Sequence, residues 1–172
     1  MEILLIAVIV LVLVFGFVVF RGAPYVPTRR RDLEKAFTEV YPLSDKDVVV
    51  DIGSGDGVVL RQAAQRGARA VGYELNPVLV LISRLISRNY GDRISIRLAD
   101  FWFVSLPSDT TLVYTFGESR DIKKMYRKVV SEATRLQKPL FFMSYGFTVQ
   151  NQQTIKSDGA IHLYRVDPLQ EV

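Results

Sequence analysis

The first part of the chain is an uninterrupted apolar run. Residues Ile3 to Phe20 carry no charge and are almost all Ile, Leu, Val or Phe. As an α-helix this run would extend about 27 Å, close to the thickness of the hydrocarbon core of a bilayer. Only Met1 and Glu2 precede it, whereas a secretory signal peptide has basic residues ahead of a shorter apolar stretch. The pattern predicts a transmembrane helix within residues 1–21, and a cleaved signal peptide is the alternative.

The next region, residues 22–43, combines a linker with a helix. The linker contains two prolines, and the segment from Asp32 to Tyr41 has Leu33, Phe37 and Val40 at helical spacing. This spacing predicts a short amphipathic helix that covers one edge of the core.

From residue 44 onward, short apolar runs alternate with stretches of helical periodicity. The clearest helix has one apolar stripe from Ile122 to Leu136 and basic residues on its other face. Pro77 and Gly91 mark the first turn and the end of another helix. The predicted strands are 47–52, 69–74, 93–99, 110–116 and 139–145, and the predicted helices are 57–66, 77–89 and 122–136.

The C-terminal segment predicts a β-hairpin. Residues 147–155 and 160–166 are expected to pair about a turn at Ser157, Asp158 and Gly159. Strands that alternate with helices form mostly parallel sheets with helices on both faces. We therefore predict one α/β domain, residues 44–172, with a doubly wound sheet and an antiparallel hairpin at one edge. Ligands of such sheets bind beyond the carboxyl ends of the strands.

Composition excludes several kinds of site. The 172 residues include no cysteine, which excludes disulfides, thiolate metal ligands and a cysteine nucleophile. The one histidine, His162, cannot form a metal cluster alone and lies in an alternating segment typical of a strand. We therefore predict no metal site.

Basic residues follow the apolar run. Arg21 and the cluster Arg29 to Arg31 place the excess positive charge on its C-terminal side, so the positive-inside rule predicts a cytoplasmic main domain. The chain would then be a single-pass membrane protein that contacts the lipid bilayer through residues 3–20. A basic cluster is expected here from topology and lipid attraction, and the chain lacks the aromatic and basic interleaving typical of single-strand binding. A nucleic-acid partner is therefore disfavoured.

A glycine-rich loop, residues 51–57, follows the first predicted strand. Glycines at a strand-to-helix junction permit a sharp turn and let a ligand approach the unpaired helix amides. The spacing differs from the dinucleotide fingerprint, and two carboxylates in the loop would repel a pyrophosphate. They suit a cationic sulfonium that carries an amino-acid group, which indicates S-adenosylmethionine as the cofactor. The loop residues predicted to bind it are Asp51, Gly53, Ser54, Gly55, Asp56 and Gly57.

Acids also end the second and third predicted strands. Glu74 is positioned to accept hydrogen bonds from both ribose hydroxyls of an adenosine cofactor. Asp100 can accept a hydrogen bond from the adenine amino group, with Phe101 or Trp102 beside the ring. A lone acid at a strand end is usually a solvated cap, and a tryptophan more often packs in a core. Three consecutive strand ends with the expected chemistry nevertheless favour a cofactor site.

Four segments together resemble a known family. They are Pro24-Tyr25-Val26-Pro27-Thr28, the glycine loop, Gly72-Tyr73-Glu74-Leu75-Asn76-Pro77 and Asp100-Phe101-Trp102. They are similar to the lysine methyltransferases that include the mitochondrial enzymes acting on adenine nucleotide translocase and the ATP synthase c-ring protein, and the archaeal broad-specificity protein lysine methyltransferase. The similarity extends over roughly residues 24 to 145. The glycine loop alone is shared by very many methyltransferases, whereas the first and third segments together are much more particular.

The resemblance implies a seven-strand, Rossmann-like class I methyltransferase core, S-adenosylmethionine as methyl donor and a protein lysine as acceptor. It adds Thr28, Leu75 and Asn76 to the expected cofactor contacts. It also makes Tyr25 a candidate for covering the cofactor or lining a lysine channel, with a rigid linker as the alternative. Anchoring through the apolar run would restrict the substrates to proteins at or near the membrane.

Glu118 follows the fourth predicted strand, where class I methyltransferases commonly place residues that contact the substrate. It is the candidate to attract the lysine or accept its proton, and a helix-cap role ahead of Ile122 is the alternative. The sequence here, Phe116-Gly117-Glu118-Ser119, lacks the Asn/Asp-Pro-Pro-aromatic motif of nucleic-acid amino methyltransferases, which argues against base methylation. A small-molecule methyltransferase and a non-catalytic membrane-tethered module would share the same cofactor site, and both stay as alternatives.

Overall fold

Seven strands form one sheet in the part of the chain that the structure describes. The computed structural model describes residues 1–2, 4–6, 9, 28–116 and 121–169. The strands are β1 (Val48–Ile52), β2 (Arg69–Glu74), β3 (Ile94–Leu98), β4 (Leu112–Thr115), β5 (Leu140–Tyr145), β6 (Lys156–Asp158) and β7 (Ile161–Val166). The α-helices of the domain are α1 (Arg30–Lys35), α2 (Val58–Gln65), α3 (Pro77–Ser87) and α4 (Ile122–Leu136).

The strand order is β3-β2-β1-β4-β5-β7-β6, so the order reverses between β1 and β4. Pairs among β1 to β5 are parallel, whereas β7 is antiparallel to both β5 and β6. The register places Asp51 beside Gly72 of β2 and Tyr114 of β4. Since ligands bind where the strand order reverses, the carboxyl end of β1 lies at the expected position for a site.

Both faces of the sheet are covered. Every residue of β1 is buried, which is typical of a parallel strand with helices on both sides. One face packs against α1, α2 and α3, with Leu33, Phe37 and Leu60 in its core. The other face packs against α4 through Ile122 and Val129. These two cores fix the positions of the strand ends that carry the candidate residues.

The N-terminal helix differs from its prediction in form. The sequence predicts one helix over 32–41, but α1 begins at Arg30 and continues as a π-helical turn, Ala36–Val40. The wider turn keeps Ala36, Phe37 and Val40 buried together. Packing against the sheet therefore overrides the regular 3.6-residue repeat.

Other element bounds differ by a few residues. The helix predicted over 77–89 ends at Ser87 and is followed by a 3₁₀ segment, Arg88–Arg93. The remaining predicted strands and helices before the hairpin agree with the structure to within two residues.

The predicted first strand of the hairpin was wrong. Residues 147–155 form a loop in which Asn151 has a φ of 60°, and that left-handed backbone interrupts an extended segment. The strand is instead Lys156–Asp158, and it pairs with β7 through a tight turn at Gly159 and Ala160. The antiparallel hairpin itself is confirmed.

No helix among the described residues combines the length and apolar character that a bilayer crossing requires. Most of the predicted transmembrane run, residues 3, 7–8 and 10–20, lies outside the described residues.

Candidate functional site

The carboxyl ends of β1 and β2 are joined by the side chain of Glu74. The Gly55 amide donates to Glu74 Oε2 at 2.8 Å, and the Asn76 amide donates to Oε1 at 2.8 Å. Each carboxylate oxygen has a second lone pair, so Glu74 can still accept two hydroxyl hydrogens. This geometry fits the predicted role of Glu74 toward the two hydroxyls of a ribose.

The glycine loop turns back sharply against β2. The amides of Gly53 and Ser54 both donate to the carbonyl of Tyr73, at 2.9 and 3.1 Å. Gly53 has a φ of 71°, in the left-handed region, and a Cβ added there would meet nothing within 4 Å. The backbone at Gly53 therefore faces open space, as a loop that a ligand approaches closely would require.

Asp51 places a carboxyl group in the interior beneath this loop. The side chain is buried, and burial, followed by the charges of Glu74 and Asp56, raises its pKa well above the ordinary aspartate value. Within the described residues it makes no side-chain hydrogen bond or ion pair. A buried carboxylate needs a charged or hydrogen-bonding partner, so the site favours a cationic ligand.

Asp56 contacts the domain itself. Its Oδ1 accepts from the Val58 amide at 3.0 Å and so caps the first turn of α2, while its Oδ2 pairs with Arg61 Nη2 at 3.2 Å. Both groups hold the loop against α2. A direct contact of Asp56 with the cofactor stays a prediction.

Asn76 and Leu75 form the turn between β2 and α3. Asn76 is the N-cap of α3, with Oδ1 accepting from the amides of Val78 at 2.9 Å and Leu79 at 3.4 Å. Leu75 is half-buried between this cap and Glu74. The cap fixes the turn to which the Glu74 carboxylate is bonded.

The start of the domain lies across β4, beside the site. The hydroxyls of Thr28 and Tyr114 share a hydrogen bond of 3.0 Å, and both residues are buried. Burial raises the pKa of Tyr114, so its hydroxyl is neutral at physiological pH. Because Tyr114 neighbours Asp51 in the sheet register, this contact brings Thr28 to the predicted cofactor region.

A second tyrosine contact holds the same segment in place. The Tyr145 hydroxyl, at the end of β5, donates to Asp32 Oδ2 of α1 at 2.6 Å. Sequence reasoning missed both Tyr114 and Tyr145. Their signal was a tyrosine near the carboxyl end of an otherwise apolar strand, which carries little weight without knowledge of its partner.

The aromatic residues after β3 pack within the domain. Asp100 Oδ1 accepts from the Trp102 amide at 3.0 Å and begins the 3₁₀ segment Phe101–Phe103. Phe101 is buried, 6.4 Å from the Tyr73 ring and 5.7 Å from the Trp102 ring. Lys124 Nζ lies 4.1 Å from the Trp102 ring centre. Contacts of Asp100, Phe101 and Trp102 with an adenine stay predictions.

Two predicted residues lie outside the described parts of the chain. They are Tyr25 and Glu118, so their roles stay predictions. Across the described ranges, no group of three His, Asp or Glu residues is arranged to hold a metal ion.

Comparison with protein families identifies one matching domain. A model of the ANTKMT methyltransferase domain matches residues 51–156. This range begins at Asp51 in β1 and ends at the first residue of β6. It includes the glycine loop, Glu74 and Asp100, and so covers the candidate site.

Two curated relatives carry the same type of name. The lysine N-methyltransferase of the ATP synthase c-ring protein from Xenopus laevis is 36% identical over 111 residues, which cover 63% of this chain and 48% of that protein. Adenine nucleotide translocase lysine N-methyltransferase of Mus musculus is 41% identical over 86 residues, which cover 48% of this chain and 37% of that protein. The match to the first relative spans about half of that protein's length.

A solved structure shares the fold. An RNA methyltransferase from Salinibacter ruber, in complex with S-adenosyl-L-homocysteine, superposes with a TM-score of 0.71 and 23% identity. The superposition covers 85% of this chain and 97% of that chain. The class I methyltransferase fold and the family resemblance predicted from the sequence are confirmed.

Proposed function

Because the chain belongs to the ANTKMT methyltransferase domain family, we propose that it transfers the methyl group of S-adenosylmethionine to the side-chain amine of a protein lysine. The observation that carries the acceptor is the similarity to relatives named lysine N-methyltransferases. The family membership itself makes this a methyltransferase domain with S-adenosylmethionine as cofactor. The identity of the acceptor is the proposal.

The residues at the carboxyl ends of β1 and β2 fit this cofactor. The open backbone at Gly53 accommodates close approach of a ligand, and the two remaining lone pairs of Glu74 accept ribose hydroxyls. The buried carboxyl of Asp51 favours a cationic group beside it. These three features support the predicted set of cofactor contacts.

S-adenosylmethionine supplies a methyl group bonded to a positively charged sulfur, which a neutral amine can attack in line. Holding the two reactants in that alignment provides a large part of the rate enhancement. A lysine ammonium has an ordinary pKa near 10.4, so it must lose a proton before it attacks. Glu118 is proposed to attract the ammonium or accept its proton, and Tyr25 to line the approach.

Transfer of labelled methyl groups tests the activity. The purified full-length chain is incubated with methyl-labelled S-adenosylmethionine and a membrane protein fraction, and the products are hydrolysed to amino acids. We expect label in methyllysine. Label in lipid, nucleic acid or small molecules alone, or no transfer, would overturn the proposal.

A pair of variants ties the label to this site. Asp51→Ala removes the buried carboxyl, and transfer should fall by about tenfold or more, as expected for a charge-assisted contact of about 1.5–3 kcal/mol. Asp45→Asn is the matched control, because Asp45 is exposed and precedes the opposite end of β1. Equal losses in the two variants would argue against the assigned site.

We also propose that residues 3–20 anchor the domain to a membrane, with the domain on the cytoplasmic side. The support is the uncharged run itself and the arginines that follow it. The substrates would then be proteins presenting a lysine at or near that membrane.

A single-cysteine experiment tests the side of the membrane. The natural chain has no cysteine, so Ile155→Cys introduces one exposed thiol. In intact cells, a membrane-impermeant maleimide should not label this thiol, whereas permeabilised cells should be labelled. Labelling in intact cells would place the domain on the other side, and recovery of the chain in the carbonate-soluble fraction would exclude the anchor.

A further inference from the structure

Helix α3 exposes its aliphatic residues and buries its serines. Its buried side consists of Val80, Ser83 and Ser87, and it faces β2, β3 and α2. Five large aliphatic side chains lie on the opposite side, each between 38% and 69% exposed. They are Val78, Leu81, Ile82, Leu85 and Ile86. We call these five residues the α3 stripe.

The α3 stripe is unlike the outward face of a helix that contacts water. The outward face of α4 carries Lys123, Lys124 and Arg127, all exposed. The α3 stripe instead has the i, i+3, i+4, i+7, i+8 spacing that normally faces a core. A contiguous exposed apolar surface of this kind marks a contact with another molecule or a membrane.

Positive charge surrounds the α3 stripe. Between Glu74 and Asp92 the chain carries Arg84 and Arg88 and no acidic residue. The Arg84 guanidinium is held beside the stripe by two hydrogen bonds to the Ile96 carbonyl, at 3.1 and 2.7 Å. An aliphatic face with arginines at its border is the pattern of a helix that lies in the interface of an anionic bilayer.

The chain enters the domain next to the α3 stripe. Arg30, the first residue of α1, lines the same surface pocket as Ile86. Nine residues, 21–29, separate Arg30 from the uncharged run, and fully extended they would reach about 30 Å. An anchor in residues 3–20 would therefore keep the stripe within one domain diameter of the membrane.

We propose that the α3 stripe docks onto the surface of an anionic phospholipid bilayer. The aliphatic side chains enter the interface, and Arg84, Arg88 and Arg30 contact the phosphates of the headgroups. The inference rests on the proposed membrane attachment and adds a second point of contact, 58 or more residues beyond the anchor along the chain. With two contacts, the domain has a fixed orientation on the membrane.

Depth measurements on single labels test this surface. Leu85→Cys in the otherwise cysteine-free full-length chain receives a nitroxide, and the protein is reconstituted into vesicles of phosphatidylcholine and phosphatidylglycerol. Ile155→Cys is the matched control, because Ile155 is comparably exposed and lies beside β6, at the opposite edge of the sheet. The two readouts are collision with lipid-dissolved oxygen and with an aqueous nickel chelate.

We expect the label at residue 85 to lose its collisions with nickel and to gain collisions with oxygen, while the label at residue 155 stays in water. Equal nickel collisions at both positions would overturn the inference. So would shielding of residue 85 from both reagents, because residues 3–20 or a second copy of the chain would then cover the stripe. Equal depth in vesicles of phosphatidylcholine alone would overturn the role of the arginines.

This readout separates the inference from the proposed function. It requires neither methyl donor nor acceptor, so a water-exposed residue 85 in an active, membrane-bound protein overturns the docking surface alone. A chain that fails to remain with the vesicles overturns both the anchor and the docking surface. Failure of lysine methylation leaves the depth result as it stands.

Discussion

Replacement of Gly57 by alanine separates two reasons why this position is glycine. Gly57 is the N-cap of α2 and has a φ of 81° and a ψ of 23°, in the left-handed region. An L-residue with a side chain loses about 1–2 kcal/mol in that conformation. The first reason is therefore the backbone itself.

The second reason is the approach of α3. A Cβ at residue 57 would lie 2.3 Å from Ser83 Oγ, far inside a normal contact. Ser83 is fully buried, so its hydroxyl has little room to move, and overpacking of this kind costs about 1–3 kcal/mol. The two contributions together predict a loss of about 2–5 kcal/mol for Gly57→Ala.

Ser83→Ala distinguishes the two contributions. Among the described residues, Ser83 Oγ has no hydrogen-bond partner, so its removal alone should not destabilise the protein. With Oγ gone, the nearest Ser83 atom is Cβ at 3.5 Å, an ordinary contact. In the Ser83→Ala background, Gly57→Ala should therefore lose only the backbone contribution of about 1–2 kcal/mol.

Thermal unfolding of the four proteins in detergent, followed by circular dichroism, measures this cycle. A chain of this size changes its Tm by about 2–4 °C per kcal/mol. Gly57→Ala should lower the Tm by about 4–20 °C in the natural background and by about 2–8 °C in the Ser83→Ala background. Equal decreases in the two backgrounds would refute the close approach of α3 to the loop.

Three further predictions concern the site. Glu74→Gln loses the charge that accepts from the Gly55 amide, so affinity for S-adenosylmethionine should fall by about tenfold to a hundredfold in calorimetry, and unchanged affinity would contradict its role. Burial raises the pKa of Asp51, so above the unfolded-state value near 3.9 the folded state keeps the proton longer, and stability falls until the pH passes the folded-state pKa. The Tm of Asp51→Asn should therefore exceed that of the natural chain, without ligand, increasingly as the pH rises from about 4 to 8; parallel curves would count against a buried carboxyl. Thr28→Val and Tyr114→Phe each leave a buried hydroxyl unpaired, so each should lower the free energy of unfolding in urea by about 1–3 kcal/mol, whereas additive losses in the double variant would exclude the hydrogen bond.

Local sequence signals predicted the parts of the structure that depend on neighbours along the chain. The apolar run ahead of Asp51 placed β1 within one residue, and the Asn76-Pro77 pair predicted the start of α3. Glu74 was correctly placed at the end of β2. In each case the physical cause lies within a few residues: burial on both faces, a cap, or a turn.

Contacts between distant residues could not be predicted in the same way. Thr28 and Tyr114 are 86 positions apart, and no property of either residue names the other. The outward orientation of the α3 stripe also opposes its sequence pattern, because that spacing by itself predicts an inward face. Whether a stripe faces inward depends on what the other side of the helix packs against, here the small side chains Ser83 and Ser87.

The carboxylate of Glu74 gives the domain a built-in reporter. The amides of Gly55 and Asn76 belong to different loops and both donate to this one side chain rather than to a neighbouring strand. Their hydrogen exchange with solvent is therefore controlled by a single carboxylate, and loss of that carboxylate would speed the exchange of both amides together. Matched protection at these two positions measures the integrity of the site in the isolated protein, before any donor binds and without any turnover.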